Sequence, residues 1–351
     1  MNPLFQRLMR DATRMTQGGD LRAATAAIQE ALAGKSFDAA SPAPPAQDNA
    51  VIDVVARVLD EAPARAEPPV ADQFTAGSFA DHAMRRDYKL YVPPGADARP
   101  LPLVVLLHGC TQDPDDFAAG TAMNALARQH GFHVLYPAQS QQANPQRCWN
   151  WFKHSHQQRG RGEPALLAGM TREVMARHRI DADRVYVAGL SAGGAMAAIL
   201  AGAYPELYAA AGVHSGLAAG SARDLPSALA AMRQGGPLQA TTGRGVPTIV
   251  FHGEGDSTVH PSNGAQVAAA SAGADAVAEV TQATSPGGRP YSRSVYRGPG
   301  GGVVAEYWRV QGAPHAWSGG SAQGSYTDPR GPDASAEMLR FFLEHPRRQA
   351  R

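Results

Sequence analysis

RVYVAGLSAGGAM, residues 184–196, is the most informative stretch of this sequence. Its first half alternates Val, Tyr and Val in the manner of a buried β-strand, and its second half is a run of small residues that suits a helix start. Between the two halves stands the pattern G-x-S-x-G, with Ser191 at its centre. A sharp turn from strand to helix admits only small neighbours and lifts the serine hydroxyl above the sheet. The stretch therefore predicts a strand–turn–helix unit that presents Ser191 as a nucleophile.

Short apolar runs on both sides of this stretch predict further strands: YKLYVP (88–93), LPLVVLLHG (101–109), HVLYPA (133–138), TIVFHG (248–253) and AEYWRVQG (305–312). Helical patterns lie between them, at 117–130, 165–178, 193–203 and 334–344. Strands that alternate with helices predict an α/β fold, with a mostly parallel sheet covered by helices on both faces. In such sheets the functional side chains lie just beyond the carboxyl ends of the strands.

A serine nucleophile needs a general base, and the base needs a carboxylate to orient it. On folds of this kind the three residues follow one another along the chain as serine, acid and histidine. Asp256, in the loop after the strand 248–253, and His315, directly after the last predicted strand, satisfy this order. Other acidic and imidazole side chains near the strand ends are alternatives: Glu254 for the acid, and His214, His252 and His260 for the base.

Attack on a carbonyl carbon also needs hydrogen-bond donors for the oxyanion that forms. One donor is expected to be the backbone N–H of Ala192, the residue after the nucleophile. The other is expected in the loop after the strand 101–109, at the N–H of Cys110. A tight turn without a catalytic role is the alternative for this second segment.

The two cysteines and three of the four tryptophans fall in the predicted site loops. Cys110 and Cys148 are either separate thiols, as a reducing compartment favours, or a disulfide that joins two of these loops. Trp149, Trp151 and Trp317 are candidate substrate-binding residues, because the walls of binding pockets are mostly apolar. Packing in the core is the alternative for each of them.

Taken together, these segments resemble the polyhydroxybutyrate-depolymerase-type esterases, a family that also includes feruloyl and acetylxylan esterases. The shared segments lie within residues 75–345: LLHGCTQ (106–112), CWNWF (148–152), GLSAGGAMA (189–197), HGEGDSTV (252–259), GAPHAWSGG (312–320) and GSYTDPRGPDASAEMLRFF (324–342). The resemblance implies an α/β-hydrolase fold and hydrolysis of a carboxylic ester through an acyl-enzyme. It also implies a Ser191–Asp256–His315 triad, with Cys110 in the oxyanion loop.

Three other functions remain open at this point. An acyltransferase would use the same triad and would differ by excluding water from the acyl-enzyme. A serine peptidase is a rival within the hydrolases, but the sequence shows no propeller or lid domain that would sort peptides. A protein that mainly binds polymer granules through N-terminal helices is the alternative from another class, against which the complete triad argues.

The charge composition narrows the choice of partners. The chain has 32 Lys and Arg against 31 Asp and Glu, a net charge of +1, so no field of one sign would attract nucleic acid. No apolar run reaches the roughly 18 residues of a membrane span. We expect no cofactor and no metal, because His252 and His260 lack partners at ligand spacing. The expected partner is a neutral ester, either a small molecule or an oligomer or polymer.

The first part of the chain differs from the rest in composition and in its pattern of apolar residues. Residues 1–72 show helical patterns separated by Pro/Ala-rich linkers, which predicts a small helical extension before a catalytic domain of residues 73–351. The opening segment MNPLFQRLMRDATRMTQ carries charges among its apolar residues and has no continuous apolar region of a secretory signal. We therefore expect a cytoplasmic protein.

Overall fold

The computed structural model describes residues 72–81, 84–237 and 245–347. The strands in this part of the chain are β1 (Gln73–Asp81), β2 (Met84–Val92), β3 (Leu101–Leu107), β4 (His133–Pro137), β5 (Ile180–Leu190), β6 (Ala210–His214), β7 (Thr248–Gly253), β8 (Val277–Thr284), β9 (Pro290–Arg297), β10 (Val303–Val310), β11 (Trp317–Ser318) and β12 (Thr327–Asp328). The predicted helical extension lies outside the described residues, apart from Asp72, so its boundary stays a prediction.

Ten of these strands form one sheet in the order β1-β2-β4-β3-β5-β6-β7-β10-β9-β8. The strands from β4 to β10 in this order pair in parallel, whereas β1 and β2 at one edge and β9 and β8 at the other are antiparallel. The short strands β11 and β12 pair with each other apart from this sheet. The mostly parallel sheet predicted from the apolar runs is confirmed.

Helices cover both faces of the sheet. Their bounds within the described residues are α1 (Pro114–Thr121), α2 (Met123–His130), α3 (Gly162–Arg177), α4 (Ala192–Ala203), α5 (Leu225–Gln234), α6 (Ser262–Ala272) and α7 (Ala334–Glu344). Side chains of β3 alternate between two cores: Leu103 and Val105 pack with α3 and α4, and Val104 and Leu106 pack with α1, α2 and α7. Burial on both faces explains why this strand is a continuous apolar run. The α/β-hydrolase architecture expected from the sequence is confirmed.

The helix predicted over 117–130 is two helices in the structure. The break is at Ala122, whose φ of 51° is left-handed. Thr121 stabilises the break, because its hydroxyl donates to the carbonyl of Phe117 at 2.8 Å and accepts from the N–H of Met123 at 3.4 Å. A hydroxyl that bonds back to its own helix commonly bends or ends it.

Candidate active site

Ser191 occupies the turn between β5 and α4. Its φ of 57° and ψ of −118° are strained for a residue with a side chain, as a sharp strand-to-helix turn requires. The Ser191 N–H donates to the carbonyl of His214 at 2.8 Å, which ties the turn to the end of β6. Gly193 leaves the necessary space, since a Cβ there would lie 2.1 Å from the carbonyl oxygen of Leu107. The local geometry is that of the sharp strand-to-helix turn predicted for Ser191.

Asp256 and His315 lie together at the carboxyl edge of the sheet. Nδ1 of His315 is 2.7 Å from Oδ2 of Asp256, and Oδ1 of Asp256 accepts from the N–H groups of Thr258 at 2.9 Å and Val259 at 2.8 Å. Because the carboxylate accepts the Nδ1 proton, Nε2 of His315 is the nitrogen left to act as base. The structure therefore brings the predicted acid and the predicted base into contact.

The environment of Asp256 keeps its carboxylate charged. Burial is the largest single effect and raises the pKa of Asp256, but hydrogen bonds from His252, His315 and the Val259 N–H outweigh it. The net result is a pKa below the usual range of an aspartate. A carboxylate that stays ionised can orient the imidazole and stabilise the imidazolium during the reaction.

The side chains that competed for these roles have other partners. The carboxylate of Glu254 pairs with Nε of Arg309 at 2.8 Å, on the protein surface. His260 is exposed, and its Nδ1 lies 2.8 Å from the hydroxyl of Ser262. These contacts separate Glu254 and His260 from the Asp256–His315 pair.

His214 supports the site as a buried neutral ring. Its Nε2 accepts from the N–H of Ser318 at 2.9 Å, and its ring stacks between Phe251 and Trp317. Burial lowers the pKa of His214 well below its usual value, so the ring is uncharged. Through its carbonyl it holds Ser191, and it is part of the frame around the nucleophile.

The predicted oxyanion loop runs directly beside the nucleophile. A Cβ built on Gly109 would lie 3.7 Å from Cβ of Ser191. No hydrogen bond within the described part of the chain uses the N–H of Cys110, the next residue. Ala192, as the first residue of α4, has no acceptor for its N–H within the helix. Both predicted donors are therefore available beside Ser191.

The segment between β11 and β12 supports this loop through hydrogen bonds. The Gly109 N–H donates to Oε1 of Gln112 at 2.9 Å, and Nε2 of Gln112 donates to Oδ2 of Asp116 at 2.8 Å. The N–H of Ser325 donates to the other oxygen of Asp116 at 2.8 Å, and its hydroxyl also contacts this carboxylate. A relay of hydrogen bonds thus joins the oxyanion loop to a residue 209 positions from Asp116.

The two cysteines form a disulfide in the structure. Their Cα atoms are 4.2 Å apart and the residues are 38 positions apart in sequence. Next to this bond, the N–H of Thr111 donates to the carbonyl of Gln146 at 2.6 Å. Of the two arrangements left open by the sequence, the structure has the one in which Cys110 and Cys148 join the oxyanion loop to the aromatic segment.

Glu163, in the first turn of α3, is a buried residue that the sequence did not single out. Its carboxylate accepts from the Asn150 N–H at 2.7 Å, from the Asn150 side chain at 2.8 Å, and from the Gln139 amide. The backbone N–H of Gln139 in turn donates to Nε2 of His108 at 3.1 Å. Glu163 therefore organises the segment after Cys148 and reaches the start of the oxyanion loop.

The three tryptophans are buried, with 0% of Trp149, 5% of Trp151 and 1% of Trp317 exposed. The indole N–H of Trp149 donates to the carbonyl of His108 at 3.1 Å, and that of Trp317 donates to the hydroxyl of Ser335 at 3.0 Å. Trp149 and Trp317 therefore pack in the core and have no surface for the predicted contact with substrate. Contact between Trp151 and substrate stays a prediction.

Two further properties concern only the residues described here. Among them, no three His, Cys, Asp or Glu side chains are grouped in a way that could hold a metal ion. No helix in the same ranges is both long enough and apolar enough to cross a membrane.

The chain is similar to known esterases and depolymerases. The family described as Esterase PHB depolymerase matches residues 86–289. Poly(3-hydroxyalkanoate) depolymerase C of Paucimonas lemoignei is 33% identical over 241 residues, which cover 64% of this chain and 57% of that protein. Feruloyl esterase B of Thermothelomyces thermophilus is 32% identical over 204 residues, which cover 52% of this chain and 68% of that protein.

Among solved structures, the acetyl xylan esterase from Aspergillus awamori has the same fold. The TM-score is 0.62 at 21% sequence identity, covering 77% of this chain and 99% of that one. The chain spans about half to two thirds of the length of most curated relatives it matches. The family match covers more than half of the chain. The protein therefore belongs to the Esterase PHB depolymerase family.

Proposed function

We propose that this protein hydrolyses carboxylic esters through an acyl-enzyme on Ser191. The observation that carries the proposal is the contact between Nδ1 of His315 and Oδ2 of Asp256 at 2.7 Å, on loops at the same sheet edge as the strained serine turn. The family membership supports the same chemistry.

In the first half of the proposed reaction, Nε2 of His315 takes the hydroxyl proton as Oγ of Ser191 attacks the ester carbonyl carbon. The negative charge on the carbonyl oxygen is accepted by the N–H groups of Cys110 and Ala192. The tetrahedral intermediate collapses, and His315 returns the proton to the leaving alkoxide, which departs as an alcohol. Asp256 stabilises the imidazolium while it carries the proton.

In the second half, water replaces the alcohol. His315 removes a proton from the water molecule as its oxygen attacks the acyl carbon, and the acid is released when Oγ of Ser191 regains a proton. An acyltransferase would differ only here, by admitting an alcohol or amine in place of water. No feature of the described residues favours that variant, so hydrolysis is the function we propose.

We propose a neutral ester of an aliphatic or aromatic acid as the substrate class. The relatives named above are a poly(3-hydroxyalkanoate) depolymerase and a feruloyl esterase, and the chain itself has a net charge of only +1. Such a balance gives no electrostatic preference for an anionic substrate.

The test is a kinetic comparison of p-nitrophenyl acetate and butyrate, methyl ferulate and 3-hydroxybutyrate oligomers with wild-type protein and Ser191→Ala. We expect wild-type turnover on at least one ester, a burst of p-nitrophenol equal to the enzyme concentration where deacylation is slow, and one acyl group on Ser191 by mass spectrometry. Absence of turnover on every ester, with folded protein, would contradict the proposal.

A further inference from the structure

His252 lies beside the triad but takes no part in the proton transfers described above. It is the last residue but one of β7, and its side chain is fully buried. Its Nε2 is 2.8 Å from the carbonyl oxygen of Val259 and 3.3 Å from Oδ2 of Asp256. Its Nδ1 has no hydrogen-bond partner within the described residues. Since a carbonyl oxygen can only accept, the ring proton is on Nε2.

With this proton on Nε2, His252 adds one donor to those that already contact the carboxylate of Asp256. Oδ1 of Asp256 accepts from the N–H groups of Thr258 and Val259, while Oδ2 is 2.7 Å from Nδ1 of His315 and 3.3 Å from Nε2 of His252. The same Nε2–H also contacts the carbonyl of Val259. One imidazole therefore contacts both the first and the last residue of the turn from Asp256 to Val259. The carboxylate is thereby held in a single orientation.

Simple packing does not account for an imidazole at this position. The His252 ring lies against Gly264 of α6, where a Cβ would come within 2.7 Å of Nδ1. The backbone of the helix is therefore in direct contact with the ring. A buried acceptor nitrogen without a partner is unfavourable, and an apolar ring would fill the same space without that cost. What an apolar ring lacks is the Nε2–H donor, which contacts the Val259 carbonyl at 2.8 Å and Oδ2 of Asp256 at 3.3 Å.

We propose that His252 is a positioning residue for ester hydrolysis, which acts through Asp256 by holding Oδ2 where Nδ1 of His315 can donate to it. The inference rests on the proposed function of Asp256 as the acid of the triad. Substitution of His252 is expected to leave substrate binding unchanged. The contacts described for its ring are with the turn from Asp256 to Val259 and with α6.

The test is a double-mutant cycle between His252 and Asp256, with His252→Gln as the conservative variant. We expect His252→Phe to lower kcat by about 10- to 100-fold with KM within about twofold of wild type, as for loss of an interaction used in the transition state. His252→Gln, which keeps an N–H donor, should recover part of the loss. In the Asp256→Ala background, His252→Phe should cost less than about threefold, because no acid remains to be positioned.

Thermal melting and titration with a fluorophosphonate would count the folded, reactive sites in each variant. If His252→Phe fails to fold, His252→Leu, which also removes the donor, and its combination with Asp256→Ala carry the same cycle. An equal loss in both backgrounds, a wild-type kcat in His252→Phe, or a loss confined to KM would overturn the proposal. Failure of the proposed function would be seen separately, as equal rates for wild type and Asp256→Ala before His252 is changed.

Discussion

His315 and Asp256 are 59 residues apart in sequence, yet Nδ1 of the histidine is 2.7 Å from Oδ2 of the aspartate. The strands that precede them, β7 and β10, pair in parallel, with Val310 opposite Gly253. The two loops therefore leave the sheet side by side, and the contact follows from strand order.

Ser191→Ala should abolish ester hydrolysis and leave the fold intact. The substitution removes only a hydroxyl, while the turn is held by backbone hydrogen bonds and by the space at Gly193. Loss of such a nucleophile typically costs on the order of a millionfold in turnover. The measurement is kcat on p-nitrophenyl butyrate with circular dichroism as the control, and turnover within tenfold of wild type would remove Ser191 from its assigned role.

His315→Ala and Asp256→Asn should both be severe, with the aspartate variant less so. The histidine moves the proton, whereas the aspartate fixes its tautomer and stabilises its charged form. Turnover losses of roughly a millionfold and ten-thousandfold are the scale to expect. Glu254→Gln is the matched control, because this carboxylate pairs with Arg309. A crippled Glu254→Gln together with an active Asp256→Asn would show that the acid is misassigned.

The buried histidines should make the protein less stable as the pH falls below neutrality. Burial lowers the pKa of His108 from 6.5 to about 4, so the unfolded chain binds this proton first and stability is lost between those values. At about 1.4 kcal/mol per pKa unit, the full loss from this group is about 3 kcal/mol. Unfolding in urea at several pH values tests the effect.

His108→Phe should flatten this pH dependence, because the group that titrates is gone. His130→Phe, at an exposed histidine of α2, is the matched control for the loss of one imidazole. An unchanged slope of unfolding free energy against pH in His108→Phe would show that the ring is not held neutral as the structure implies.

The Cys110–Cys148 bond should contribute both stability and rate. Closing a loop of 38 residues constrains the unfolded chain by roughly 3–4 kcal/mol on the chain-entropy account. The double variant Cys110→Ser/Cys148→Ser should also lose kcat more than KM, because the N–H of residue 110 belongs to the oxyanion loop. Thiol titration of denatured, unreduced protein should find no free thiol, and two free thiols would instead support the reducing, cytoplasmic location expected from the sequence.

Deletion of residues 1–71 should leave hydrolysis of small esters unchanged within about twofold, since the predicted triad and both oxyanion donors lie beyond them. Kinetics of the truncated protein on p-nitrophenyl butyrate check this expectation. A soluble, folded but inactive product would show that the first segment contributes to the site.

The sequence was sufficient to predict those elements whose pattern lies within a single strand or a single motif. Strands such as β3 are buried on both faces and are therefore continuous apolar runs. By contrast, β6 is only AAGVH, which is indistinguishable by pattern from the small-residue helix before it. Strand β8 is exposed along its whole length, so its sequence has no apolar face that could reveal it.

Within the site, the residues whose positions follow from their order along the chain could be predicted from the sequence. The residues that are positioned by packing could not. Glu163 begins a helix, where an acidic residue is ordinarily an exposed partner of the helix dipole. Its burial depends on partners such as Arg86, Gln139 and Asn150, which no spacing rule connects to it. The same holds for Trp149 and Trp317, whose loop positions suggested substrate contact while the packing around His108 and Ser335 places them in the core.

The hydrogen bonds between Ser325 and Asp116 make one support of the predicted oxyanion loop depend on a distant segment of the chain. Gln112 and Asp116 lie close to this loop in the sequence, but Ser325, which donates to Asp116, is 209 residues beyond Asp116. Contacts between such distant segments form late, because a long loop must close before they are gained. A ribosome-bound chain that ends before Ser325 therefore contains Ser191 without this support for the predicted oxyanion loop. We therefore expect ester hydrolysis only from chains that include both His315 and Ser325.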